Sequence, residues 1–165
     1  MFQILINSWI GLGVITFLTL LFISAPYGRH IRPGWGPLLS KRTGWIFMET
    51  PALYIMWLFY FFYADFTNIV LIIFLFVWSI HYTNRSIIWP FLIDENGSMP
   101  LIVALLAFIF NIFNASFHGY WFFFMNNHYD ITWLLSSNFL LGLSIFILGM
   151  LINIHSDKIL LNISK

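Results

Sequence analysis

The sequence contains no cysteine, which excludes a disulfide framework, a thiolate zinc site and a cysteine nucleophile. Charge is almost as scarce. Lys and Arg number 7 and Asp and Glu 6, together 8% of the 165 residues, where a soluble domain carries about 25%. A water-soluble globule is excluded, because so few charges cannot clothe one, and so is a disordered chain, which needs low hydrophobicity and high charge. The net charge of +1 offers no basic excess to neutralise phosphates, so no nucleic-acid partner is expected. The five histidines are scattered, with no pair at i, i+4 and no HExxH run, so no metal is expected either. Four Asn-x-Ser triplets begin at Asn84, Asn96, Asn114 and Asn162. Two lie inside apolar segments and are read as chance matches.

What fills the chain is apolar: 61% hydrophobic residues, 21% aromatic, mean hydropathy +0.88. Repeated apolar runs of roughly 20 residues are the signature of transmembrane helices. The expected fold class is all-α, a polytopic transmembrane helical bundle in a single membrane domain, 1–165. Its five spans are predicted at about 4–24, 44–62, 66–91, 100–117 and 138–161. No basic residue precedes the first run, which is too long for a signal-peptide core, so it reads as an uncleaved span. Between the first two spans, three glycines and three prolines within 25–43 forbid a continuous helix and predict an ordered loop. A short break falls at Ala64-Asp65, a tight polar turn at Asp94 to Ser98, and an aromatic-rich loop runs to Trp133.

Lys and Arg set the orientation. Arg29, Arg32, Lys41 and Arg42 crowd the first loop, Lys158 and Lys165 the tail, and the second and fourth loops have none. The N-terminus is therefore expected outside, or lumenal, and the C-terminus in the cytoplasm. The membrane is the plasma membrane of a bacterium or the endoplasmic reticulum of a eukaryote.

An ionisable group at membrane depth costs about 2.5–3.5 kcal/mol on insertion scales and marks a site or an internal pair. Three clusters qualify: Glu49 in Met48-Glu49-Thr50-Pro51; His81, Tyr82, Asn84 and Arg85; and Asn153, His155, Ser156 and Asp157. His81/Arg85 and Asn153/Asp157 are i, i+4 pairs on one helix face, and Gly149 continues the second face, leaving room for a ligand. The expected orientation brings all three to the cytoplasmic half of the membrane. They form either a structural Glu49–Arg85 ion pair with interhelical hydrogen bonds or a polar pocket open to the cytoplasm. Asn111, Asn114 and His118 share one face of the fourth span and either line the same cavity or bond between helices. Tryptophans and tyrosines near span ends read as interfacial anchors.

The chain resembles the steroid 5α-reductase family (3-oxo-5α-steroid 4-dehydrogenases). The resemblance is carried by Ala25-Pro26-Tyr27-Gly28-Arg29-His30, Glu49-Thr50-Pro51, His81-Tyr82-Thr83-Asn84-Arg85-Ser86 and Gly149-Met150-Leu151-Ile152-Asn153-Ile154-His155-Ser156-Asp157. It implies reduction of the C=C bond of an α,β-unsaturated ketone, typically a 3-oxo-Δ4 steroid, with hydride from NADPH. Glu49 and Tyr82 would be the catalytic pair on the substrate's carbonyl oxygen. Arg85, Asn153 and Asp157 would bind the cofactor, and Tyr27 and Asn114 would belong to the substrate pocket. The implied partners are a lipid-soluble enone and membrane lipid. Seven spans are implied for the family, so the chain is expected to be truncated at its C-terminus. The alternative is a truncated, non-catalytic membrane protein that binds a lipid or a partner subunit. No inverted repeat points to a transporter. Arg85 is followed by Ser86-Ile87-Ile88-Trp89, not by a nearby Glu, which favours the steroid-type branch over enoyl-thioester or polyprenol reductases.

Overall fold

The computed structural model describes residues 1–93, 97–125 and 129–163. Five helices are long and apolar enough to cross a membrane: Phe2–Phe22, Lys41–Tyr63, Ile69–Leu92, Leu101–Phe124 and Ser137–Ile163. Helices are what such runs must form, because a backbone in lipid has only itself to hydrogen-bond. The chain is an all-α transmembrane bundle. In order it runs α1 (Phe2–Phe22), β1 (Leu38–Ser40), α2 (Lys41–Tyr63), α3 (Ile69–Thr83), a π turn (Asn84–Ile88), α4 (Trp89–Leu92), β2 (Ser98–Pro100), α5 (Leu101–Gly119), a second π turn (Tyr120–Phe124), a 3-10 turn (Ile131–Leu135) and α6 (Ser137–Ile163).

Local chemistry fixes the ends. Ser40 caps α2 by accepting the Thr43 N–H at 3.1 Å, so the helix begins at Lys41, inside the stretch expected to be loop. Residues 38–40 instead pair with 98–100 as a two-stranded antiparallel ribbon, Leu38 opposite Pro100 and Ser40 opposite Ser98. This ribbon joins the first loop to the chain entering α5. The polar turn expected at Asp94 to Ser98 falls largely on 94–96, outside the described residues, although the Gly97 carbonyl accepts the Lys41 N–H at 2.8 Å. The Ala64-Asp65 break is stabilised by Asp65, which accepts both the backbone N–H and the hydroxyl of Thr67. Those hydrogen bonds hold its carboxyl below the usual carboxylate range. Asn68 then caps α3 by accepting the Val70 and Leu71 N–H groups.

The fourth span corrects the expected boundary near 117. The helix continues as a π turn to Phe124, and Asp130 caps a 3-10 turn where further loop was expected. The rings that suggested an interfacial loop are packing groups. Phe122 stacks on Phe74 at 4.3 Å, Phe123 meets Tyr60 edge-on at 5.4 Å, and Phe124 meets Tyr63 at 4.9 Å.

The core lies where α2, α3 and α5 meet. α2 buries Gly44, Met48, Ala52, Met56 and Tyr60, one residue per four, a single ridge inclined to the helix axis. α5 answers with Ala104, Asn111, Ala115 and Gly119, small side chains that let two helices approach closely. Pro51 stands inside α2 and has no N–H to give to the turn before it. Neighbouring helices donate into the backbone around it: Asn111 Nδ2 to the Met48 carbonyl at 2.7 Å and Trp78 Nε1 to the Ala52 carbonyl at 2.9 Å. The outer helices differ in kind, since neither α1 nor α6 buries a residue. α1 leans on α5 through Trp9, whose ring lies 5.1 Å from that of Phe110.

Candidate active site

The π turn at Asn84–Ile88 interrupts the third span at the end of the bundle that bears the first loop. Its i→i+5 bond, Trp89 N–H to the Asn84 carbonyl, widens the helix by one residue and re-aims the side chains on and beyond the turn, the usual reason π turns occur at functional sites. Arg85 projects from it. Its Nη1 donates to Asp157 Oδ2 at 2.9 Å and to Asn153 Oδ1 at 3.1 Å, both on α6. Its guanidinium lies 4.4 Å from the ring centre of Trp45 and 5.8 Å from that of Trp89, within the range of a cation–π attraction. Trp45 Nε1 donates to the Tyr27 hydroxyl at 2.8 Å, which ties the first loop to the same cluster. Burial pushes the Tyr27 hydroxyl up, partly offset by the Trp45 hydrogen bond and the Arg85 charge, so at neutral pH it keeps its proton. The Trp89 indole N–H is buried without a partner among the described residues.

Beside this cluster, α5 holds a carboxyl and a phenol. Asn111 Nδ2 donates to Glu49 Oε2 at 3.2 Å as well as to the α2 backbone. Asn114, one turn on, donates to the Tyr82 hydroxyl at 3.4 Å. Trp78 backs Tyr82, their ring centres 4.7 Å apart. Two amides on one helix face thus position Glu49 and Tyr82, which come from different helices.

Tyr82 also lines a cavity of ≈ 650 Å³ between α3, the end of α5, the 3-10 turn and α6. That volume lies within the range of small-molecule sites, about 300–1,000 Å³. Its wall is apolar except for a few groups, among them His81, Tyr82, His118 and Asn138. α6 contributes Gly142, Phe146 and Gly149, and the same helix face continues to Asn153 and Asp157 at helical spacing. A Cβ added at Gly142 or Gly149 would meet nothing within 4 Å. The cavity and the polar cluster are therefore two parts of one site, joined at Tyr82 and along α6.

The region 97–165 matches the family model described as 3-oxo-5-alpha-steroid 4-dehydrogenase. A steroid 5-alpha-reductase of Gossypium hirsutum is 35% identical, the match covering 91% of this chain and 60% of the relative. That of Arabidopsis thaliana is 34% identical, covering 99% and 65%. The 3-oxo-5-alpha-steroid 4-dehydrogenase 1 of Bos taurus is 36% identical, covering 94% and 62%. Over most of its length the chain is similar to steroid 5α-reductases. It spans somewhat under two thirds of the length of these relatives.

Set against the family's motifs, the structure brings Arg85, Asn153 and Asp157 into direct contact and places Glu49 and Tyr82 on two amides of α5. One expectation is corrected. Among the described residues the ion pair of Arg85 is with Asp157, not Glu49: the π turn aims the guanidinium at α6, while the Glu49 carboxyl accepts from Asn111. Tyr27 and Asn114 stand outside the wall of the large cavity. Asn114 reaches it through Tyr82, and Tyr27 touches Trp45 at the polar cluster. The tryptophans expected to be interfacial anchors include two that face inward, Trp45 and Trp89, and Trp78, at mid-span, faces inward as well. A signal for them was present, since each lies four residues from a site residue: Trp45 from Glu49, Trp78 from Tyr82 and Trp89 from Arg85.

Proposed function

We propose that this integral membrane protein takes part in NADPH-dependent reduction of the C=C bond of an α,β-unsaturated ketone, a 3-oxo-Δ4 steroid or similar lipid. The observation that carries the reading is the Tyr82 hydroxyl on the wall of an apolar cavity, beside a Glu49 held by Asn111. The cofactor, when bound, supplies hydride to the substrate's β-carbon. Negative charge then develops on the carbonyl oxygen as the enolate forms. Tyr82 donates a hydrogen bond to that oxygen, and Glu49 donates a second in its protonated form. Donors fixed before reaction in a site shut off from water stabilise the transition state more than the ground state.

The polar cluster suits a nicotinamide cofactor by its donor set. Asn153 offers an amide donor and acceptor to match a carboxamide, Asp157 an acceptor, Arg85 a permanent charge, and Trp89 a buried N–H without a partner among the described residues. Tyr27 closes the cluster from the side of the first loop, and Asn114 orients Tyr82 within the substrate pocket. The loops bearing Arg and Lys face the cytoplasm and the N-terminus lies outside. Cysteines introduced at Gly34 and Thr67 would test this by labelling with an impermeant thiol reagent, since the native chain has no cysteine.

The deciding test is substrate-dependent NADPH oxidation in the protein's own membranes, compared with Tyr82→Phe and Glu49→Gln. Loss of one oxyanion donor costs about 10²–10³ in turnover. Full activity in both variants would discard the assignment. Binding of steroid with no cofactor binding would point instead to a non-catalytic lipid-binding protein.

A further inference from the structure

His118 takes no part in the reaction described above, yet it lines the large cavity. It stands on α5 one turn beyond Asn114, about 6 Å further along the helix axis and thus further from the polar cluster. Its ring centre is 4.9 Å from that of Trp78, the same indole that backs Tyr82. A polar ring at this depth, on the wall of a mainly apolar cavity, calls for a chemical reason.

Its hydrogen bonding supplies one. His118 Nδ1 is 2.8 Å from the Asn114 carbonyl oxygen. A carbonyl oxygen only accepts, so Nδ1 carries the hydrogen. The other ring nitrogen of the neutral imidazole, Nε2, is then an acceptor. The backbone has fixed the tautomer, leaving a lone pair, not an N–H, for whatever the ring meets. At His118 the cavity wall therefore presents an acceptor that complements a hydroxyl and repels the lone pairs of a ketone. His118 also borders a smaller cavity of ≈ 360 Å³ against Phe2, Gln3 and Ile6 of α1, but its contact with Trp78 associates it with the larger one.

We propose that His118 is a specificity-determining residue: Nε2 accepts a hydrogen bond from a hydroxyl carried on the ring system of the bound lipid, set back from the carbonyl held at Tyr82. The cavity then favours a hydroxylated enone over the same molecule with that hydroxyl oxidised to a ketone. This inference rests on the enone reading of the site.

The test is equilibrium binding, read by quenching of tryptophan fluorescence in the detergent-solubilised full chain. The probes are several monohydroxylated 3-oxo-Δ4 steroids, each paired with its ketone. At least one hydroxylated steroid should bind more tightly than its ketone by on the order of 10-fold, the worth of one hydrogen bond in a dry site. The preference should vanish in His118→Phe and in His118→Leu, and return in His118→Gln, whose amide oxygen is again an acceptor. Equal binding within every pair by the wild-type chain would overturn the proposal and leave the enone reading intact. So would a preference that survives in whichever of the Phe and Leu variants keeps its thermal transition, or one lost instead in Asn138→Leu. Failure of every steroid, hydroxylated or not, to bind would overturn the enone reading and this inference with it.

Discussion

Arg85 and Asp157, 72 residues apart in the chain, meet at 2.9 Å with side chains 12% and 16% exposed. The pair is the polar fastening of a helix that has little else. α6 buries no residue; its other end is held by Phe139 against Phe74 and Trp133, and the large cavity lies between the two attachments.

Asp157→Leu should therefore do more than weaken the proposed cofactor contact. It leaves the partly exposed Arg85 charge without its counter-ion, a loss of about 1–3 kcal/mol. The expected result is a lower melting temperature and faster proteolysis within 137–163. Adding Arg85→Met should restore part of the loss, because two apolar groups of similar size replace a pair more easily than one charge tolerates solitude. Equal melting of the single and double variants would show that the pair does not fasten α6.

Trp45 separates two contributions that meet at Arg85. Its ring lies under the guanidinium and its Nε1 holds Tyr27. Trp45→Phe keeps a ring and loses the N–H, so the first loop should loosen while Arg85 stays in place. Trp45→Leu removes both, with a further loss of about 0.5–2 kcal/mol for the cation–π contact, read as roughly 2- to 30-fold weaker cofactor binding. Indistinguishable cofactor affinities for the two variants would mean that the ring does not support Arg85.

Much of this arrangement was legible in the sequence, for a reason particular to membrane proteins. Length and apolarity alone mark a span, so five helices could be read without any knowledge of their packing. The buried polar residues stood out because lipid tolerates so few of them. The turns at Asn84 and Tyr120 were not legible, since an i→i+5 bond leaves no mark in an apolar run. That omission hid the partner of Arg85. Glu49 and Asp157 were both expected at its depth, and only the aim of the π turn selects between them. Trp45 and Trp89 were misread because an indole at a span end suits the interface and the interior equally well.

Asn111 is 5% exposed and serves two acceptors with one amide nitrogen, the Met48 carbonyl and Glu49 Oε2. Asn111→Leu preserves the volume approximately and removes the side-chain donor from both acceptors, at about 1–3 kcal/mol. Because one of them is the carboxyl assigned to the substrate carbonyl, turnover should fall by at least 10-fold at saturating substrate. Asn114→Leu, which frees only the more distant Tyr82 contact, should fall less. The reverse order would move the key positioning role from Glu49 to Tyr82.

Two glycines, one on α5 and one on α6, should respond oppositely to added bulk. A Cβ at Gly119 would lie 2.6 Å from the Phe59 ring and 2.8 Å from the Phe59 Cβ, atoms near a backbone that cannot step aside. Gly119→Ala should force α2 and α5 apart at a cost of about 1–3 kcal/mol, as overpacking does, and lower the melting temperature with no specific effect on ligand. Gly149 has open space in front of it, and that space is the large cavity. Gly149→Leu should leave melting unchanged or slightly higher, because a helical glycine is worth about 1 kcal/mol less than a good helix former. The leucine would instead occupy part of the cavity beside Tyr82 and reduce steroid binding. Measuring melting and fluorescence-detected binding on both variants separates the two effects. If Gly149→Leu binds steroid as well as the wild-type chain, the ligand does not lie along α6, and the site must be sought on the other side of Trp78.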